Sequence, residues 1–565
     1  MEVIEDNNSK KCIVIQQGTN TTIAGFNNSD LPQCVIPSTY IYDKQEDKMI
    51  FGLYDMLDIA TSLEDADRYE VFTILDKNGI PYNWEALEQQ WNYLFNDVLR
   101  CSPEEYPLVI TIPSMKKEID GEVLEKYFSL VFERFKFPVF QIILEPLAIT
   151  LSLGKSSGLV IDMGSSGCRV TPIIDGTVIK NAVLSSKYGG AFLDYQIIET
   201  LQKKLDEEAT AVVKGSADDD NNNVNIGTSQ IDLRKNTSIE AWLQSNTWIK
   251  EFKSTMLQVT DKPLQDVEKH HKEQTEMYIR QHEEIQRYNS TVKDSSNANA
   301  IEAAAAANKT AIESIYNNNP LNQKKNYLIK PSHKTISLEA RECYKLAEYL
   351  FQPNLASETF PLEDGLGGII GKSIKKAAAT VSSIGTTVST TDTMGGKGHN
   401  MGPSLVSLHK NNNTTGKKDS NNGRVSASFI TQSTSSSLAS TINALKPEQV
   451  YAKLLTNVII TGSSSLLEGM EQRILKELSI RFPQYKLTTF ANQNIMDRKF
   501  QSWLGTVTMS NLPSWELGKW YSKEEYEIEL EKGKKAQKQN EKENDAAANA
   551  ADADNMDIDK EGEIQ

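Results

Sequence analysis

The sequence predicts an α/β fold made of two related lobes, and three observations support this prediction. Apolar runs typical of buried strands alternate with amphipathic helical segments along the chain, which is the pattern of α/β proteins. A strand, a bend of small polar residues and a returning strand occur twice, at 12–26 and at 158–176. The chain has 565 residues, which is long enough for two lobes that each bury a core. Each hairpin would then offer its loop to a shared cleft.

Composition excludes several classes of protein. The chain is 39% hydrophobic and 8% aromatic, which are globular values. Its five cysteines lie far apart without a C-x-x-C pair, so we expect reduced, buried thiols rather than disulfides or a zinc site. The net charge is −16 and no basic stripe occurs, which argues against direct DNA binding. No apolar run reaches the roughly 18 residues that a membrane span needs, and the polar N-terminus does not resemble a signal peptide.

Apolar spacing assigns the elements of the first half. The predicted elements are strands at 12–15, 23–26, 108–113 and 137–144 and helices at 84–99 and 124–135. Residues 1–10 are predicted to be flexible. The mixed, charged stretch 41–80 is predicted to form a mobile small subdomain.

The hairpin at 158–176 carries the first chemical signal. Its first strand ends on Asp162, and Gly164 to Gly167 form a bend of small residues. Small residues let backbone N–H groups approach an anion, and a carboxylate at a strand end can hold a metal or its water. The same pattern also fits an ordinary hairpin, so both readings stay open here.

A second loop of small residues lies in the other half. Val458 to Ile460 predict a strand, Thr461 to Ser465 a loop, and Gly469 the start of a helix. This arrangement suits an anion or nucleotide at a helix N-terminus, or a plain strand-to-helix turn. The stretch GLGGIIGKS (365–373) is not a Walker loop, because the required first glycine would fall on Leu366.

Three segments have the composition of disordered insertions, and the C-terminus that of a tail. The insertions are predicted at about 208–235, 261–325 and 377–446, and the tail at 531–565. The middle insertion includes a sparsely apolar helix, whose histidines we assign to a solvated face rather than to a metal: His270, His271 and His282. The last 25 residues hold nine acidic and two basic residues. That tail is a solubilising appendage or a histone-binding segment.

Outside the insertions and tail, the chain resembles actin over nearly its whole length. The segments that carry the resemblance include AGF (24–26), VIPS (35–38), SPEEYPLVIT (102–111), LVIDMG (159–164), ITGSSSLLEG (460–469) and RKFQSWLG (498–505). The resemblance implies the actin fold, with two lobes around a nucleotide cleft. The first lobe would comprise 11–157 with 496–530, and the second 158–495.

Other stretches are more similar to the nuclear actin-related proteins of fungal chromatin remodellers. They include PQCVIPSTYI, GIPYNWEALE, IIDGTVIKNAV and IRFPQYKLTTFANQ. This likeness implies a nuclear, non-enzymatic subunit of a chromatin-remodelling complex of the SWI/SNF and RSC type. Such a subunit would pair with a second actin-related protein, clamp a helix of the remodeller ATPase and contact other remodelling subunits.

The resemblance also implies how the cleft chemistry has changed. Gln16 and Ile23 stand where actin has the aspartate that orders the magnesium's water shell and the lysine on the phosphates. Neither replacement supplies charge to a metal or a phosphate. Actin's next loop aspartate is Ser165 here, and the glutamine that positions the attacking water is Glu145. A carboxylate there resembles the chaperone and sugar-kinase branches of the superfamily, so Glu145 does not by itself exclude hydrolysis. We therefore expect no catalytic residues and no protein-held metal.

At the other positions that contact the nucleotide in actin-like proteins, this chain is more similar to those proteins. They are Gly18, Thr19, Asp162, Gly164, Gly190, Lys250, Glu251, Gly462, Ser463 and Lys499. The resemblance implies weak ATP binding without hydrolysis. A cleft for a partner helix would be lined by Leu151, Gly154, Met509 and Leu512, although ordinary core packing explains the same residues. The alternative function is an actin-fold ATPase of the filament-forming or chaperone-like kind.

Overall fold

The structure is a computed structural model that describes most of the two lobes. It covers 11–62, 67–114, 121–215, 232–292, 319–330, 333–389, 445–511 and 520–528, with single positions at 306, 310, 313, 314, 317, 530 and 531. The predictions for residues 1–10, for Leu512, for much of the insertions and for the tail after 531 lie outside the described residues.

The described chain alternates strands and helices, so the α/β prediction is confirmed. The strands are β1 (Ile13–Gln17), β2 (Thr21–Phe26), β3 (Cys34–Pro37), β4 (Thr39–Asp43), β5 (Lys48–Ile50), β6 (Tyr69–Thr73), β7 (Leu108–Ile112), β8 (Val139–Leu144), β9 (Gly158–Met163), β10 (Cys168–Ile174), β11 (Thr177–Val178), β12 (Leu184–Ser186), β13 (Lys324–Ile329), β14 (Lys334–Glu339), β15 (Val458–Thr461), β16 (Thr489–Phe490) and β17 (Trp520–Ser522). The helices are α1 (Leu53–Ser62), α2 (Trp84–Tyr93), α3 (Gly121–Phe128), α4 (Glu145–Ser152), α5 (Gly190–Gly215), α6 (Ser238–Asn246), α7 (Trp248–Met256), α8 (Leu264–Val292), α9 (Ala340–Glu348), α10 (Leu366–Ser389), α11 (Pro447–Leu455), α12 (Met470–Arg481), α13 (Ile495–Lys499) and α14 (Gln501–Ser510).

Each lobe is built on a mixed sheet that repeats one arrangement. The first sheet has the order β17-β8-β7-β1-β2-β3, and the second has β11-β10-β9-β15-β16, with β12 also paired to β10. In the first sheet the antiparallel hairpin β1–β2 lies beside the parallel strand β7, and in the second β9–β10 lies beside the parallel strand β15. The two hairpins singled out in the sequence are therefore equivalent parts of the two sheets.

Helix α4 packs between the two sheets, and α14 packs against α4 and the first sheet. Ala148 of α4 belongs to a buried cluster with Val14 of the first sheet and Trp503 of α14. The next residue, Ile149, belongs to a cluster with Val160 and Ile459 of the second sheet. Trp503 is fully buried and its indole N–H donates to the carbonyl of Val14 at 3.1 Å. The connection between the lobes is therefore a packed core rather than a loose linker.

The two helices approach closely at Gly505. A Cβ atom added there would lie 2.4 Å from the carbonyl oxygen of Ala148 and 2.7 Å from its carbon. Only glycine allows this separation of the backbones.

A small sheet, β5-β4-β6, and helix α1 form the subdomain that the sequence placed at 41–80. Its apolar side packs against α6 of the second lobe, where Trp242 and Ile239 join Ile41 and Met56 in one buried cluster. The subdomain therefore contacts both lobes.

A buried ion pair holds the base of α8. Arg473 of α12 is 1% exposed and its two terminal nitrogens each lie 2.7 Å from the carboxylate of Glu348. The same guanidinium donates to the backbone carbonyls of Thr260 and Lys262, just before α8 begins. A buried charge is tolerated when it is paired and fully hydrogen-bonded. Because Arg473 also binds two carbonyls just before α8, it fixes the start of this helix to the second lobe.

The structure differs from the sequence prediction at the start of the third insertion. Helix α10 extends to Ser389, and Ala377, Ala378 and Val381 are buried in the second lobe's core. The prediction of an insertion at 377–446 followed the serine- and threonine-rich composition of the whole stretch and overlooked the apolar residues at helical spacing at its start. The same helix contains nearly all of the stretch GLGGIIGKS, which is therefore no phosphate loop. None of the described helices is both long enough and apolar enough to cross a membrane.

We predict that Gly505→Ala destabilises the protein by about 1 to 3 kcal/mol, the usual range for overpacking, because the added methyl group pushes α14 away from α4. Chemical denaturation of the full chain measures this effect. Thr508→Ala, an exposed change on the same helix, is the matched control. Equal midpoints for the two variants would contradict the close approach.

Candidate functional site

The first hairpin brings an amide, not a carboxylate, to the cleft. Gln16 lies at the end of β1, directly opposite Ile23 on β2. The Gln16 side-chain nitrogen donates to Oε1 of Glu145 at 3.1 Å, while its Oε1 is buried without a partner. Ile23 is 3% exposed and packs into the cluster around Trp503. Gln16 and Ile23, which stand where actin has an aspartate and a lysine, therefore contribute no charge to the cleft.

Two acids meet at the floor of the cleft. Glu145 is the first residue of α4, and Asp162 lies near the end of β9. Burial, and after it the nearby charge of Asp162, raises the pKa of Glu145 to about 7. Burial likewise raises the pKa of Asp162. The pair therefore resists full ionisation at neutral pH.

Arg169 is a functional-site residue that the sequence reasoning missed. It pairs in register with Asp162 across the hairpin β9–β10, and its positive charge lowers the pKa of both Glu145 and Asp162. One guanidinium nitrogen donates to the backbone carbonyl of Asn78 at 3.1 Å. The signal was present in the sequence, because residues that flank a tight hairpin at equal distances face each other.

The loops of the second lobe converge as the sequence suggested. The Gly190 N–H at the start of α5 donates to the Gly164 carbonyl at 3.0 Å, and the Ser464 hydroxyl donates to the same carbonyl at 3.1 Å. Gly462 has φ of +89°, and a Cβ there would lie 2.6 Å from Oδ1 of Asp162. Ser463 begins the short 3₁₀ turn that follows. Small residues are needed here because three backbones and one carboxylate crowd together.

Lys499 and Lys250 lie close enough for their charges to interact. Burial lowers the pKa of Lys499, and the neighbouring charge of Lys250 lowers it further. Among the described residues, no carboxylate lies within ion-pair distance of Lys499. Glu251 instead pairs with Lys330 at 2.6 Å on the surface. A half-buried ammonium group beside a second cation favours an anionic ligand.

The remaining predicted nucleotide contacts lie on the first loop. The Gly18 N–H donates to the Thr21 carbonyl at 3.0 Å and closes the turn. Thr19 faces the loop of the small subdomain, since a Cβ on Gly79 would lie 4.0 Å from its methyl group.

These residues fit a nucleotide phosphate better than a metal. The glycines of these loops carry no side chains that would block an anion, and among the described residues no carboxylate pairs with Lys499. Such a ligand would be held by Lys499 and by the loops at Gly18, Gly164 and Gly462. Within the described residues, no group of three or more histidines, cysteines and acids is arranged to hold a metal ion.

The predicted helix cleft is only partly described. Leu151 is half-buried against the cluster around Trp503, and Gly154 is exposed with φ of +67°. Met509 is 2% exposed within that cluster. Met509 is therefore part of the buried core, and Leu151 is the apolar member of the set that keeps a partly exposed side chain.

Two mixed sheets related by repetition, joined by α4 and α14 and carrying paired phosphate-type loops, define an actin-fold protein. The sequence pattern of the actin family matches residues 7–540, and the chain belongs to this family. It is 47% identical to Actin-related protein 7 of Saccharomyces cerevisiae over 522 residues, which cover 92% of this chain and 96% of that protein. It is 24% identical to Actin-related protein 4 of Candida albicans, over 91% of this chain and 93% of that one. The predicted actin-like fold is confirmed.

We predict that Glu145→Gln stabilises the protein at pH 8 and changes it little at pH 4. A carboxyl whose pKa rises on folding adds stability below its unfolded pKa and loses it as pH rises through the folded value, here between about 4.5 and about 7. The gain is on the order of 3 kcal/mol at most. Denaturation at both pH values measures it.

The exposed Glu104→Gln is the control, because Glu104 is more than half exposed. A pH-independent difference between wild type and Glu145→Gln would show that the carboxyl is not held in its neutral form.

Proposed function

We propose that this protein is a non-catalytic, nuclear actin-related subunit of an ATP-dependent chromatin-remodelling complex of the SWI/SNF and RSC type. In this role it pairs with a second actin-related protein and grips a helix of the remodeller ATPase, among other remodelling subunits. The observation that carries the proposal is the hydrogen bond from Gln16 to Glu145. It occupies the corner of the cleft where an actin-type ATPase needs a metal-ordering carboxylate. The 47% identity to Actin-related protein 7 agrees with this assignment.

The charges of the cleft support binding more than turnover. Phosphoryl transfer depends almost wholly on positioning and on neutralising developing charge. Ile23 adds no cation, and Glu145 and Asp162 repel a phosphate whenever both are ionised. Lys499, Lys250 and Arg169 still provide positive charge. We therefore propose weak ATP binding without significant hydrolysis.

One observation favours the alternative of an ATPase. Glu145 is buried with a pKa of about 7, which suits a general base at neutral pH. Because its carboxylate already accepts a hydrogen bond from Gln16, we assign it a structural role and test the alternative directly.

We propose that the contact with the partner helix lies at the base of the two lobes. Leu151 is a half-buried apolar residue on a helix whose other side packs between the two sheets. Amphipathic helices dock into such apolar troughs. A helix held there would contact α4, the element shared by both lobes.

We predict that ATP raises the melting temperature of the full chain and that Lys499→Met weakens ATP binding roughly tenfold, as expected for the loss of a half-buried charge partner. Calorimetric titration measures the affinity, and the exposed Lys476→Met is the control. In a single-turnover assay with magnesium-ATP, we expect no phosphate release above the uncatalysed rate. Release that disappears in Glu145→Gln would establish the ATPase alternative.

We predict that Leu151→Asp weakens binding of the ATPase helix at least tenfold, because a carboxylate in the trough must be desolvated. Fluorescence anisotropy with a labelled helix peptide and the purified pair of actin-related proteins measures this affinity. Leu475→Asp, on α12 of the second lobe and 36% exposed, is the control. Equal affinities, with unchanged circular dichroism, would place the helix elsewhere.

A further inference from the structure

The small subdomain and the second lobe share a hydrophobic cluster across the mouth of the cleft. Its buried members from the small subdomain are Ile41, Met56 and Ala60, and those from α6 are Ile239 and Trp242. Leu57 and Leu243 pack around this cluster. The cluster is separate from the cores of the two lobes, so its burial depends on the contact between these two parts.

The start of α6 orients the side chains that make this contact. Thr237 caps the helix, and its side chain and that of Glu240 exchange hydrogen bonds with each other's backbone N–H. This capping box fixes the first turn. Ser238 and Trp242 are then four residues apart and face the same neighbour.

Polar contacts accompany the apolar ones. The indole N–H of Trp242 donates to the hydroxyl of Thr39 at 3.1 Å, and the Val71 N–H donates to the hydroxyl of Ser238 at 3.0 Å. Arg169 adds a third link through the Asn78 carbonyl. Val71 belongs to β6 and Thr39 to β4, so two of the three strands of the small sheet are bonded to the second lobe.

We infer that these contacts form a built-in clamp that keeps the mouth of the cleft closed without any ligand. The cluster centred on Trp242 supplies apolar burial that is lost when the two parts separate. Arg169 donates to the Asn78 carbonyl in the loop at 78–79 of the same subdomain, and Thr19 lies near Gly79 in that loop, so opening the clamp also moves one wall of the candidate site. Ligand entry and release are therefore limited by opening of the clamp. The inference does not depend on the identity of the ligand.

Hydrogen exchange of the ligand-free full chain tests the clamp. We expect Trp242→Ala to speed amide exchange in β4, β6 and α6 by roughly tenfold or more, while the lobe sheets keep their protection. Tyr54→Ala is the matched control, since Tyr54 lies on α1 of the same subdomain but is 87% exposed. Unchanged exchange in these three elements, or a uniform rise throughout the chain, would overturn the clamp.

A cross-link tests the same contact without removing a core side chain. Val71→Cys combined with Ser238→Cys puts two thiols on facing residues, because the Val71 N–H lies 3.0 Å from the Ser238 hydroxyl and the Val71 side chain packs against the cluster shared with α6. We expect rapid disulfide formation on mild oxidation and slower exchange of β4 and β6 in the oxidised form. A folded double variant whose new thiols stay free would show that the closed arrangement is not populated.

Discussion

The crossing of α4 and α14 is the contact on which the rest of this structure depends. Each helix packs against the first sheet, and α4 also packs against the second, so the relative placement of the lobes is set by one tightly packed layer. Because Gly505 lets the two backbones nearly touch, the layer is too thin to accept extra atoms. The first turn of α4 carries Glu145, so the same layer fixes the position of the cleft's central acid. Geometry at the base of the molecule and electrostatics in the cleft are consequently linked through a single helix.

The cleft keeps the architecture of its family while its charges are redistributed. The glycine-rich turns converge on the Gly164 carbonyl through a backbone N–H and a serine hydroxyl, and neither contact needs a charged group. The charged groups follow a different arrangement, in which Arg169 faces Asp162 and an amide approaches Glu145. Backbone shape and side-chain charge can change independently. Glycine positions are constrained by the steric space around them, whereas charged positions are constrained by the chemistry they perform. The proposed binding of ATP without turnover is what losing only the second constraint would produce.

The sequence predicted the fold and the loops well because both leave local signals. The strand pairs at 12–26 and 158–176 follow from apolar runs and small-residue bends, and both residues of the Asp175-Gly176 turn have positive φ. Contacts between distant residues left no such signal. Gln16 and Glu145 are 129 positions apart, and the prediction of each from its own neighbours could not reveal their hydrogen bond. The docking of Trp242 on the small subdomain depends on how the lobes are arranged, which no local pattern encodes.

The buried pair of Arg473 and Glu348 has a consequence for changes in the length of α8. The guanidinium holds the carbonyls of Thr260 and Lys262 just before α8, so the helix starts from a position that is fixed to the second lobe. A change near the far end of α8 leaves these anchoring contacts in place. Insertions or deletions there are therefore compatible with an unchanged lobe core.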